Sequence, residues 1–518
     1  MKWLASILQV RMRHYSLLVF IQISSLFAFT QVQQQIRFDH LGINQGLSQS
    51  NVLCILQDSR GFMWFGTRDG LNKYDGYKFT VYQNDPKDPY SISNNFINSI
   101  IESSDGNLWI ATLGGGVSMF DRYKKQFTNY KHDPHNDNSI SNDFVTVVFQ
   151  DSYGVIWAGT ENGLNMFDAE KKKFTRYAHN KNDNTSIGDV AIKSVFEDSQ
   201  HDLWIGTGAG GLNLFNRKAK TFTRFQHDRN NNRSIGSNDI KVMFEDSRHR
   251  FWIGTNDNGL DLFDKQTREF THFKHDPNDP NSVAANSVFA INEDNEKNLW
   301  IGTENGGLNI FNPEKRLFYT YQNDVVDNSS LSCNSVYAIY KDIKGNLWIG
   351  TFNRGIDVVN PDARKFAHYK HLVSKNSLSN NNVLCIYEDS KKNIWIGTDG
   401  GGLNLFNPKT GRFTVYDHEQ GNKNSICGHY VLSVCEDSKG NIWVGTWADG
   451  VTVFNPVRGT FRHFKNDPNN PLSLSNNNAW KIFEDKEKNI WIAAYGGGLN
   501  LYNPATNSFT RYQSDQNN

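Results

Sequence analysis

Residues 381–418 read, in succession, NNVLCIYEDS, KKNIWIGT, DGGGLNLFNP and KTGRFTVYDH. Four short runs rich in Val, Ile, Phe, Tyr and Thr are separated by Asp, Asn, Ser, Gly and Pro, the composition of strands and of the turns between them. No helical period runs through the segment. It predicts a four-stranded antiparallel meander, its strands here lettered A to D. Working outward, Trp395 of this segment is one of a series: Trp64, Trp109, Trp157, Trp204, Trp252, Trp300, Trp348, Trp395, Trp443 and Trp491 stand 45 to 48 residues apart. One unit is copied ten times, and a four-stranded repeat of that length with a fixed Trp predicts propeller blades.

A blade is apolar on both faces because each face packs on a neighbour. The sixth residue of the strand A segment is expected in the core throughout: Ile55, Ile100, Val148, Val195, Met243, Ile291, Ile339, Ile386, Val434 and Ile482. The fold class is therefore all-β, a β-propeller of ten four-stranded blades. Repetition also replaces the three or four domains that 518 residues would otherwise imply. Lys plus Arg equals Asp plus Glu, 54 of each, which argues against a nucleic-acid partner held by charge. Aromatic residues are 13% of the chain, and most belong to the repeated framework.

At the start of the chain, Lys2, Arg11 and Arg13 precede the apolar run Ser16 to Phe29. This predicts a signal peptide over residues 1–30, with cleavage after Thr30, and hence a periplasmic or secreted protein; an uncleaved anchor is the alternative. No later apolar run reaches the length of a membrane span, so none is expected in the mature chain. Cys54, Cys333, Cys385, Cys427 and Cys435 form no CxxC pair and read as small packed residues rather than disulfides or a metal site. No cofactor is expected.

The phrase GLSQSNVLCILQDSRGFMWFGTRDGLNKYDG at Gly46–Gly76, with D-x-x-G-x-x-W-x-G-T followed by G-L-N-x-F in the copies, resembles the two-component regulator propeller repeat. That repeat builds the periplasmic sensor region of hybrid two-component histidine kinases of Bacteroidetes-type bacteria. The resemblance covers about residues 36–513. It implies glycan detection and a kinase partner, with two seven-bladed propellers, a β-sandwich, a membrane span and a kinase module in the full family architecture.

The linkers argue for a seven-blade period. His132 to Val145 and His275 to Val288 are steps of 13, whereas His40 to Val52 and His371 to Val383 are steps of 12. HLGINQGLSQSNVLCI before blade 1 is matched by HLVSKNSLSNNNVLCI before blade 8. Residues 31–365 are accordingly expected to form one seven-bladed propeller and 366–518 three blades of an incomplete second, in a truncated product; a single ten-bladed ring is the alternative.

Comparison among repeats separates framework from candidate site. The D-x-x-G turns read as hairpin chemistry rather than calcium loops. Histidines at the strand D end (His132, His227, His275, His371) recur once per blade, too far apart to share an ion. The D-to-A linkers form a wall of amides suited to hydroxyl-rich ligands. The loops between strands B and C carry Arg68, Phe352, Arg354, Trp447 and Tyr495, which turn geometry does not require. Strand A carries Lys193, Lys241, Phe289, Tyr337 and Trp480 where other copies have Leu, Asn or Thr. Aromatic faces stack on sugars and Arg pairs with uronate or sulfate, so these ten are the candidate ligand-binding residues. If blades 7 and 1 adjoin, Phe352, Arg354 and Arg68 converge. The expected function is a non-enzymatic sensor module binding an oligosaccharide, acting with a histidine kinase or another propeller chain. The alternatives are a protein-interaction scaffold and a propeller glycosidase or lyase, for which a unique carboxylate pair is not evident.

Overall fold

The computed structural model describes residues 36–360, 369–373 and 376–514; the leader expected at residues 1–30 lies outside them. The described residues form ten four-stranded antiparallel sheets and one short 3-10 turn, Ile43–Gln45. Blade 1 is Val52–Gln57, Met63–Thr67, Gly70–Tyr74 and Phe79–Tyr82, hydrogen-bonded in chain order. The other blades repeat that order, with one exception. Blade 7 takes strands A to C from Val336–Lys341, Leu347–Thr351 and Ile356–Val359, and its fourth strand from Asp39–Leu41.

That exchange closes the ring. Asp39 pairs with Val358, His40 with Asp357 and Leu41 with Ile356. Strand A of each blade touches strand A of the next, and strand A of blade 7 touches that of blade 1. Leu47, Val52, Ile55 and Phe65 of the first blade share one core with Ala338, Trp348 and Ile356 of the seventh. Gly355 N donates to Ser50 O at 2.8 Å, the same blade-to-blade bond that Gly163 N makes to Val190 O elsewhere in the ring. Seven blades thus form one compact unit. A second compact unit holds three: blade 8 (from Val383–Glu388), blade 9 (from Val431–Glu436) and blade 10 (from Ala479–Glu484 to Ser508–Tyr512).

The core lies between blades. Trp64 packs against Ile97, Ile100, Leu108 and Phe120 of blade 2, and each framework Trp is oriented by the turn before it. Asp58 accepts Arg60 N–H and Phe62 N–H on one oxygen and the Trp64 indole N–H, at 2.9 Å, on the other. The D-x-x-G Asp is therefore more than a turn residue, because a buried indole N–H needs a partner. The same bond recurs up to Trp491 and Asp485; blade 2 has Ser103 at that position. The Gly of W-x-G-T serves close approach: a Cβ on Gly66 would stand 2.4 Å from Cys54 Sγ and 2.7 Å from Ile97 of the next blade. The five cysteines are free, and burial pushes the Cys54 thiol up to about 12.

Nine of the ten strand A core positions are buried as expected. Ile386 is the correction, at 68% exposed, because no blade precedes blade 8 within its unit. The blade-end histidines have a structural role: His132 Nδ1 meets Ile140 O and His275 Nδ1 meets Val283 O, both at 2.8 Å. Asn84, Asn323 and Asn466 make the equivalent bond through Nδ2 in other blades. His and Asn interchange there because both place an N–H at the same reach.

Candidate functional site

The site residues occupy two positions per blade. In every blade the pairing of strands A and B slips by one residue after the first residue of strand A. The residue skipped is Leu53, Asn98, Thr146, Lys193, Lys241, Phe289 or Tyr337 in the ring, and Leu384, Leu432 or Trp480 in the second unit. A bulged residue leaves the ladder and its side chain is re-aimed, so it is free to differ from blade to blade. The second position follows strand B and is always fifteen residues later in the sequence: Arg68, Leu113, Glu161, Gly208, Asn256, Glu304, Phe352, Asp399, Trp447 and Tyr495. It also lies outside the ladder. Nine of the ten candidates fall on these two positions.

In blades 4, 7 and 10 the bulge residue meets the loop residue of the blade before it. Lys193 Nζ pairs with Glu161 at 2.8 Å, and Tyr337 Oη bonds Glu304 Oε1 at 3.4 Å. Both contacts lie at the end of the ring where strand A begins. Burial and the Glu304 charge raise the Tyr337 phenol above its ordinary range. Lys241 pairs with Asp239 at 3.3 Å. Asn98 and Thr146 are tied to framework carbonyls, Asn98 Nδ2 to Val145 O and Thr146 Oγ1 to Ile192 O.

On the side of the mouth that joins blades 5, 6, 7, 1 and 2, the polar pairs give way to a continuous run of rings. Lys241 Nζ lies 5.9 Å from the Phe289 centroid. Phe289 and Tyr337 are 4.7 Å apart, and Tyr337 and Phe352 meet edge to face at 5.5 Å. Beyond Phe352, the Arg68 guanidinium lies 5.3 Å from its ring and 5.4 Å from that of Phe96. Ring closure brings Arg68 and Phe352 together. Arg354 is exposed and takes no part in these ring contacts; its backbone N–H is bonded to Thr351 Oγ1. Phe96, Glu161, Asp239 and Glu304 were missed in the sequence, although the fifteen-residue spacing from the bulge marks Glu161 and Glu304.

The second unit carries its own aromatic group at the same two positions. Trp447 and Trp480 are 6.3 Å apart, and Tyr495 lies 5.9 Å from each. All three are exposed.

Acceptor oxygens of the linker Asp and Asn side chains are taken up by their own turns. Asp85 accepts Lys87 N–H and Asp88 accepts Tyr90 N–H, both at 2.9 Å, and the blade 6 linker repeats this at Asp276 and Asp279. These side chains shape the linker itself. A cleft of about 640 Å³ at the opposite end of blades 4 and 5 is lined by Glu245, Arg250 and Lys265. Its charges are engaged: Lys265 with Asp198 of blade 4 at 2.7 Å and with Glu245 of its own blade at 3.1 Å, and Arg250 with Asp246 of its own blade at 2.6 Å and with Glu314 of blade 6 at 3.0 Å. Among the described residues no cluster of His, Cys, Asp and Glu is placed to hold a metal ion, and no helix is long and apolar enough to cross a membrane.

A family model described as the two component regulator propeller matches residues 46–69, 91–114, 139–162, 234–257, 282–305, 330–353, 377–400, 425–448 and 473–496. The histidine kinase P4 of Formosa agariphila is 60% identical over 48 residues, 9% of this chain and 4% of that protein, so the match spans a small part of that relative's length. The extracellular domain assigned to a hybrid two component system of B. thetaiotaomicron is 24% identical with a TM-score of 0.60, over 92% of this chain and 73% of that one. A second such domain from the same organism is 22% identical with a TM-score of 0.51, over 93% of this chain and 68% of that one. At these identities the likeness is one of fold.

Proposed function

The chain belongs to the two-component regulator propeller repeat proteins, and on that premise we propose that it is the ligand-binding module of an extracytoplasmic sensor whose ligand is an oligosaccharide. The observation that carries this reading is the run Phe289, Tyr337 and Phe352 at the ring mouth, assembled from positions the framework leaves free. Sugar rings present C–H faces that stack on aromatic rings, and their hydroxyls find an acceptor in Glu304 beside Tyr337. Three of the mouth carboxylates, Glu161, Asp239 and Glu304, are each engaged by a lysine or a phenol, which favours binding over hydrolysis at those positions. A glycosidase needs two carboxyls facing one bond.

Signalling then requires that the ligand bind one arrangement of the sensor better than another; a kinase on the same or a partner chain would read that difference. The test is thermal shift of the secreted chain against plant, host and microbial oligosaccharides, with chromatography of each sugar afterwards. A rise in melting temperature with the sugar intact is expected, and F352A with Y337A should abolish it. Released product would replace the sensor reading with a catalytic one. Silence across the panel, with specific capture of another protein, would replace it with a scaffold.

A further inference from the structure

We propose that the ring mouth selects acidic oligosaccharides, holding a uronate carboxylate or a sulfate on Arg68. This rests on the reading of the mouth as a saccharide site and names the class of sugar. The cations of the mouth differ in how they are employed. Lys193 is paired with Glu161 and Lys241 with Asp239. Arg68 has no carboxylate within ion-pair distance among the described residues; its neighbours are the rings of Phe96 and Phe352.

A guanidinium is weakly hydrated on its faces and carries its five N–H donors around its edge. Two rings within cation–π distance hold the guanidinium beside the aromatic run, while its donors stay open, since Arg68 is exposed. A fork without a carboxylate partner matches a planar carboxylate or two sulfate oxygens. The aromatic run begins at the ring that flanks Arg68, Phe352, and continues through Tyr337 to Phe289. An anionic group on Arg68 therefore leaves the rest of its sugar, and the next residue of the glycan, over that surface. Glu304 on Tyr337 repels a second anion there, which favours a glycan charged at intervals over one charged on every residue.

The experiment is isothermal titration of the full chain with matched pairs charged at intervals: partly methyl-esterified galacturonate oligosaccharides against their fully esterified forms, and sparsely sulfated galactan oligosaccharides against their desulfated forms. One acidic member is expected to bind about ten-fold or more tighter than its neutral partner, the scale of a charged hydrogen-bonded pair; the arm in which this occurs distinguishes carboxylate from sulfate. R68Q should erase the preference without moving the melting temperature of the free protein, and R68K should restore it only in part because Lys has no fork. Raising salt should weaken the acidic ligand alone. Neutral members that bind as tightly as acidic ones, with R68Q unchanged, would overturn the acidic selection and leave the saccharide site standing. Binding of neither member of any pair, nor of other neutral oligosaccharides, would overturn both.

Discussion

Blade 1 and blade 8 share the phrase VLCI at the same place in strand A, yet their faces differ. Val52 and Ile55 are 0% and 9% exposed; the matching Val383 and Ile386 are 41% and 68% exposed. At the other end of the three-blade unit Trp480 and Phe483 are also exposed. The words are the same because each blade is made to be covered on both faces; the burial differs because only the ring supplies a blade on each side. Hydrophobic stabilisation in a propeller thus belongs to the interface between blades, as in other repeat proteins, and equal sequences at ring and end positions carry unequal energies.

The largest expected effect is at the closure strand. Phe38 packs with Trp300, Leu331 and Leu347, so Phe38→Ala should cost the ring about 3–5 kcal/mol, read as lost hydrogen-exchange protection in blades 6, 7 and 1 with the three-blade unit unchanged. Equal loss in both units would break the comparison. Next, Ile55→Ala should cost about 2–4 kcal/mol, while Ile386→Ala stays within about 0.5 kcal/mol; a matching cost at the two sites would mean that blade 8 is covered in solution.

A smaller effect is in pH. The Asp357 hydrogen bond raises the His40 imidazole above its ordinary value of 6.5, and Asp261 does the same for His272 in blade 5. A group raised on folding stabilises fully below its unfolded value, and that contribution is lost as pH climbs through the folded one. Ring stability should therefore fall modestly from about pH 6 upward, and H40N with H272N should flatten the profile. In the second unit His463 faces the hydroxyl of Thr452 instead. The smallest effect is at the exposed aromatics: Tyr495→Ala should leave stability within about 0.5 kcal/mol, by denaturant titration, since its ring is largely in solvent.

Most of the blade was legible. Trp spacing, strand composition and the Gly and Asp turns are local, and ten copies average out their exceptions. The candidate site was legible as a set of off-pattern residues because the framework positions, held by Asp58-type bonds and close-packed Gly66-type contacts, cannot vary. What was hidden was the reason: a bulge in strand A is a feature of hydrogen-bond register, and no residue type announces it when Leu, Lys, Phe and Trp all occupy the place. The Asx turns by which linker Asp and Asn side chains cap backbone N–H groups two residues on were not legible from composition alone.

By itself the sequence determined the repeat and the all-β class, since both follow from residues within one or two units of each other, and it left seven blades or ten open as the size of the ring. The tertiary structure decided the closure of blade 7 by Asp39–Leu41, the exposure of Ile386, and the placing of Arg68 between Phe96 and Phe352. Those are contacts between residues far apart in the chain or between one blade and the absence of another, and they exist only once the blades have turned far enough around the axis to meet.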